Sequence, residues 1–114
     1  MSNPSSSKEK IRPVIPKLVE LIDNMVYGDL WERPELSKRD RSLATVSALV
    51  AMRQTDQLRS HLEKALDHGV TALEISELLT HLAIYAGFPA SLSAALIAKP
   101  LLQDRGFISK EETL

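Results

Sequence analysis

The 114-residue sequence predicts an all-α fold, a compact bundle of about five to six helices, on three observations. Apolar residues recur at three- and four-residue spacing in one segment after another, and no stretch alternates as a half-buried strand would. Helix stop and start signals fall where those segments meet. The apolar content is aliphatic: with one Trp, two Tyr and two Phe, the core must be filled by Leu, Ala, Val and Ile, a balance that favours close-packed helices.

Residues 1–10 are a Ser-rich polar lead, expected to be mobile, and residues 11–114 are expected to form a single helical domain. Val14, Leu18, Leu21, Ile22 and Met25 form the stripe of an amphipathic helix that ends near Gly28, with Pro13 and Pro16 in its first turn. The connection from Gly28 to Leu36 holds Trp31, which reads as a plug or as a ring on which substrate stacks. Ser37 caps the next helix, with Asp40 favourable in its first turn. Arg39, Leu43, Val46, Val50 and Arg53 share one face of that helix, so Arg39 either lies along the core rim or enters a cleft.

Thr55 and Asp56 open a helix that runs to His68 over the apolar centre Leu58, Leu62 and Ala65, and Gly69 takes the left-handed position after it. Thr71 and Glu74 make a capping box for a central helix whose core face is Ile75, Leu78, Leu79, Leu82 and Ala86. Gly87 ends that helix, and Pro89 suits the first turn of the following one. This last helix is apolar on most of its circumference, is expected to be kinked or divided at Pro100, and stops at Gly106.

A net charge of −1 with interspersed signs gives no basic footprint for nucleic acid or an anionic membrane. No apolar run approaches the ~20 residues of a membrane span, and the opening residues lack the apolar segment of a secretory signal, so the expected compartment is the cytoplasm. With no cysteine, a disulfide, a thiol nucleophile and a thiolate metal site are all excluded. His61, His68 and His81 show no HExxH spacing, and no metal site is expected.

Two groups of polar residues could carry chemistry. His61 sits at the flank of the apolar stripe of its helix, either as a packed, hydrogen-bonded side chain or as a proton-transfer group. On the central helix Glu74, Glu77, His81 and Tyr85 share a strip beside the core face, which could line a pocket, face solvent or meet another subunit.

Trp31-xx-Pro34-x-Leu36, Arg41-Ser42-Leu43, His61-Leu62-xx-Ala65-Leu66-xx-Gly69-Val70-Thr71 and the stretch from Glu74 to Ala90 containing Tyr85-Ala86-Gly87-Phe88-Pro89 resemble the carboxymuconolactone decarboxylase family. The resemblance spans about residues 14 to 106. It implies an alkyl hydroperoxidase D-like helical fold and one of two chemistries. In the thiol-peroxidase branch a glutamate, a CxxC pair and a histidine form a proton relay. Laid on this chain without gaps, that pattern puts the histidine on His61, the cysteines on Gln54 and Gln57, and the glutamate on Ser42. Glutamine supplies no thiolate to attack a peroxide, so this is not a thiol peroxidase.

The other branch implies a cofactor-independent carboxy-lyase of aromatic catabolism acting on a small carboxylated lactone such as 4-carboxymuconolactone, in homo-oligomeric rings, commonly trimers or hexamers. Under that resemblance proton transfer falls to His61 or His81, with Glu77 orienting His81. Arg39 or Arg41 binds the carboxylate, and Trp31 and Tyr85 contact substrate. The competing reading is a non-catalytic helical oligomer, a binding module of the same fold. Oligomerisation is also expected from the apolar girth of the last helix.

Overall fold

The computed structural model describes residues 7–110, and all regular structure among them is helical. Most of the polar lead expected to be mobile, residues 1–6, lies outside the described residues. Six α-helices follow in order: α1 (Ser7–Ile11), α2 (Pro16–Leu21), α3 (Lys38–Ala51), α4 (Thr55–Asp67), α5 (Ala72–Ala86) and α6 (Phe88–Asp104). The chain divides into two compact units, Met1–Arg41 and Ser42–Leu114.

In the first unit Pro16 starts α2, where its missing N–H costs no hydrogen bond, whereas Pro13 lies in the turn after α1. The expected helix therefore starts at Pro16 and runs without a break to Tyr27, changing from α to π geometry at Ile22. Along this helix and the turn before it Val14, Leu18, Leu21 and Met25 are exposed, and Val19 is the residue fully buried. Gly28 ends the π turn at close quarters, since a Cβ there would come within 2.8 Å of the Asn24 carbonyl oxygen. An ion cluster ties α1 to this segment. Lys8 Nζ lies 2.8 Å from one Asp23 oxygen, and Arg12 reaches the other at 3.1 Å while also gripping Glu9 at 2.6 Å. Lys8 foremost, then Arg12, holds the Asp23 carboxyl below its usual pKa. Trp31, in a 3-10 turn, is buried and stacks on Tyr27 with centroids 6.2 Å apart.

The caps read from the sequence form as hydrogen bonds. Ser37 Oγ accepts from the Asp40 N–H at 3.0 Å to start α3. At α5 the Thr71 hydroxyl accepts from the Glu74 N–H and the Glu74 carboxylate accepts from the Thr71 N–H, each at 3.0 Å. The end of α4 closes with Val70 N–H on the Ala65 carbonyl at 2.9 Å and Gly69 at φ 100°. The end of α3 uses the same closure, Gln54 N–H on Leu49 carbonyl at 2.9 Å, but with Arg53 at φ 57° where a glycine would be unstrained.

The second unit is built around α6, which packs against both α4 and α5. Leu58, Leu62 and Ala65 of α4, Ile75, Leu79 and Leu82 of α5, and Ala90, Ala94, Ala98 and Leu101 of α6 are buried in one cluster with Val46 and Val50 of α3. Small residues on α6 let the helix axes approach closely. A single residue, Gly87, joins α5 to α6 at φ 103° and ψ 144°, a conformation reserved for glycine. Ser91 Oγ donates to the Leu79 carbonyl at 2.8 Å across the pair. Contrary to the expected division, α6 continues through Pro100 to Asp104. The proline removes one donor, the one that would reach the Leu96 carbonyl, while Ala98 and Leu101 on either side stay buried in the core. Two surface ion pairs join α6 and its last turn to α4, Arg59 to Asp104 at 3.0 Å and Arg105 to Asp67 at 2.9 Å.

Candidate active site

The core face of α4 leaves two histidines at its edge, His61 and His68, seven residues and so two turns apart on the same side. His61 is half-buried, and its Nδ1 is out of reach of solvent with no hydrogen-bond partner among the described residues. Burial, and to a smaller extent the ammonium of Lys64 one turn along α4, lowers its pKa to about 4. The imidazole is therefore neutral at pH 7, with a desolvated and unpartnered Nδ1.

His68 caps the C-terminal end of α4, and its Nδ1 lies 2.8 Å from the Oγ of Ser42 on α3. Ser42 is only 1% exposed, so this contact fixes the last turn of α4 against the first buried position of α3. The family relay pattern puts its glutamate at Ser42, where this chain has instead a neutral hydroxyl bonded to a second imidazole. The pairing joins residues 26 apart in sequence, a separation that no local pattern records.

The strip on α5 is of another kind. His81 and Tyr85 are exposed and lean on one another, ring centroids 4.9 Å apart at 37°, and Glu77 lies exposed one turn before His81. Of the residues assigned to anion binding, Arg39 and Arg41 are in the first unit. Arg39 is half-buried with Nη1 3.6 Å from the Asp40 carboxylate, and Arg41 donates through Nη2 to the Arg33 carbonyl at 3.3 Å.

Sequence reasoning did not anticipate the hollow between α5 and α6, a space of about 560 Å³. Ile75, Leu79, Ala83, Ala95 and Ala98 line it, with Lys99 at its edge, and none of the residues assigned to catalysis or substrate binding does. Thr80 and Ser91 also border it, but their hydroxyls donate to the backbone carbonyls of Ser76 and Leu79, each at 2.8 Å. The face beside it exposes Ile84, Phe88, Leu92 and Leu96. Among the described residues there is no group of three His, Asp or Glu side chains able to hold a metal ion, and no helix is long and apolar enough to cross a membrane.

The profile of the carboxymuconolactone decarboxylase family matches residues 16–100. The chain is 40% identical over 85 residues to a 4-carboxymuconolactone decarboxylase of Acinetobacter baylyi, covering 75% of this chain and 63% of that protein. It is 34% identical over 85 residues to a nitrosuccinic acid decarboxylase of Metarhizium robertsii, covering 75% and 59%. An uncharacterized 15.0 kDa protein of Paracoccus denitrificans is 31% identical over 93 residues, covering 80% and 67%. The chain thus spans about six-tenths of the length of the two decarboxylases it matches. Three quarters of the chain lies within the family profile, and it belongs to the carboxymuconolactone decarboxylase family.

Proposed function

We propose that this chain catalyses the cofactor-independent decarboxylation of a small carboxylated lactone of the 4-carboxymuconolactone kind, with His61 as the group that delivers the proton. The observation that carries the proposal is the unpartnered, desolvated Nδ1 of His61, on a helix whose motif is shared with a family containing named decarboxylases. Loss of carbon dioxide leaves an electron pair on carbon that the conjugated lactone spreads as a dienolate, and the reaction ends when the dienolate takes a proton on the ring carbon beside the lactone carbonyl. A proton donor at the edge of an apolar interior suits both halves: poor solvation disfavours the departing carboxylate, and a positioned imidazole shortens the life of the dienolate. Lys64, on the next turn, attracts the anion electrostatically. Arg39 and Arg41 are assigned the anion role by resemblance alone, and the proposal does not depend on them.

Incubation with 4-carboxymuconolactone, followed by the loss of substrate and the release of carbon dioxide, tests this directly. Catalysed conversion is expected; a background rate indistinguishable from buffer sinks the proposal. The exposed apolar face of α5 and α6 favours a second, compatible reading, in which copies of the chain assemble through it. Light scattering on a size-exclusion column should give a mass well above that of the 12.7 kDa chain, and a monomer at micromolar concentration contradicts it.

A further inference from the structure

The hollow between α5 and α6 is a trough with an apolar body and a polar end, and the decarboxylation chemistry uses none of it. Phe88, Leu92, Ala95, Lys99 and Leu102 of α6 line it at three- and four-residue spacing. They share one helix face, so from Phe88 to Leu102 the trough follows α6 for about 21 Å. Ile75, Leu79 and Ala83 of α5 form the other wall. Near Gly87, where the two helices join, the lining is the apolar pair Ile84 and Phe88. Two polar groups stand away from that junction. Lys99 is the one charged residue in the lining, and its ammonium has no ion pair or hydrogen bond among the described residues. Ser76 is exposed in the first half of α5, and its hydroxyl also has no partner among the described residues. The other two hydroxyls of the lining, Thr80 and Ser91, already donate to backbone carbonyls. No carboxylate competes for the ammonium: Asp104 at the end of α6 faces Arg59 at 3.0 Å, and Glu74 of α5 is held by the Thr71 N–H.

We propose that this trough is a second ligand site, for a single-tailed monocarboxylate of medium chain length, whose carboxylate meets Lys99 and Ser76 and whose hydrocarbon tail lies along the trough toward Phe88. The sign of the head follows from the one unpaired cation in the lining. The character of the tail follows from the walls, where a body with polar groups of its own would bury them unpaired. A dicarboxylated lactone is excluded on the same ground, because its second carboxylate would rest on leucine and alanine side chains. The length follows from the helix. Phe88 and Lys99 are separated by about 16 Å of α6, and a staggered hydrocarbon chain advances about 1.3 Å per carbon, so a tail of about twelve carbons reaches from one to the other. The volume of about 560 Å³ lies within the range of small-molecule sites. Tyr85 and Leu96 are exposed beside the trough and outside its lining, so a second copy packed over them roofs the trough without filling it.

Titration calorimetry of the full chain at pH 7.5 with dodecanoate, kept below its micellar concentration, tests this. Saturable binding of one molecule per chain is expected, tighter than that of octanoate by about 10²-fold, since each buried methylene contributes about fourfold. Dodecyltrimethylammonium has the same tail and the opposite head. It should bind the wild-type chain more weakly than dodecanoate does, and Lys99→Glu, at an exposed position, should reverse that order. Ala95→Trp, also at an exposed position, fills the trough and should abolish binding of both, with circular dichroism confirming that the variant is folded. Affinities that ignore the head group in both chains, or binding that survives Ala95→Trp, would reveal adsorption to exposed apolar surface and overturn the proposal. Absence of saturable binding overturns it as well, and an assembled state in light scattering would then identify a neighbouring copy as what fills the trough. Turnover of the lactone is measured separately, and none of these outcomes alters it.

Discussion

The edge of α4 and the outer strip of α5 each present a histidine, and they differ in what surrounds it. On α4, water has been removed from the Nδ1 of His61 and no internal partner replaces it, so the cost of charging the ring is raised. On α5, His81 keeps its water and rests on the ring of Tyr85, which is itself 77% exposed. The same side chain is thus a group held away from its ordinary titration in one place and a surface aromatic pair in the other. A chemical role is better argued from what the fold withholds from an imidazole than from the presence of an imidazole in a family motif.

The largest effect expected is on turnover. His61→Gln should lower kcat by about 10²–10⁴-fold, whereas His81→Gln should lower it less than tenfold; steady-state rates on the lactone decide, and the reverse order would move the proton donor to α5. Next comes stability against pH. Folded His61 has a depressed pKa, so between about pH 6.5 and pH 4 the unfolded chain binds more protons and folding loses stability as the pH falls, while above pH 6.5 this contribution is flat. With an allowance for the part of the ring that solvent reaches, the loss is about 1–2 kcal/mol. Urea midpoints at pH 7.5 and 4.5 should converge in His61→Gln, and an unchanged gap would assign the acid sensitivity elsewhere. Ser42→Ala, which deprives the His68 Nδ1 of its buried partner, should cost about 1–2 kcal/mol in the same assay, and a neutral result would mean that water replaces the hydroxyl. Smallest is Tyr85→Ser, expected to change unfolding by less than about 0.5 kcal/mol; a larger change, growing with protein concentration, would show that the α5 strip is covered by another copy.

Much of the second unit was legible in the sequence because its signals are local. Thr71 with Glu74 is a pair three residues apart whose hydrogen bonds form within one helical turn, and Gly69 sits where the turn after α4 needs positive φ. The spacing of Leu58, Leu62 and Ala65 pointed inward because α4 is a regular helix. The first unit was not legible in the same way. There Val14, Leu18, Leu21 and Met25 of the expected stripe lie outside while Val19, off that stripe, is buried, and from Ile22 a π turn changes the number of residues per revolution. Pro100 does not divide α6 for a different reason: a proline deletes one hydrogen bond, and burial on both sides of it outweighs that loss. The pairing of Ser42 with His68 and the buried, unpartnered nitrogen of His61 depend on how separate helices meet, which no periodicity records.

Gly87 imposes a mechanical asymmetry on the hollow beside it. With only one residue between the last turn of α5 and the first of α6, and the Ser91 hydroxyl stitched to the Leu79 carbonyl nearby, the two rods are fastened at one end and cannot slide or spread there without unwinding. Any breathing of that space must be a fanning of the far ends, where Lys99 and Leu102 stand. Bulk added near the glycine will jam the wedge, and bulk added at the far ends will be accommodated by it.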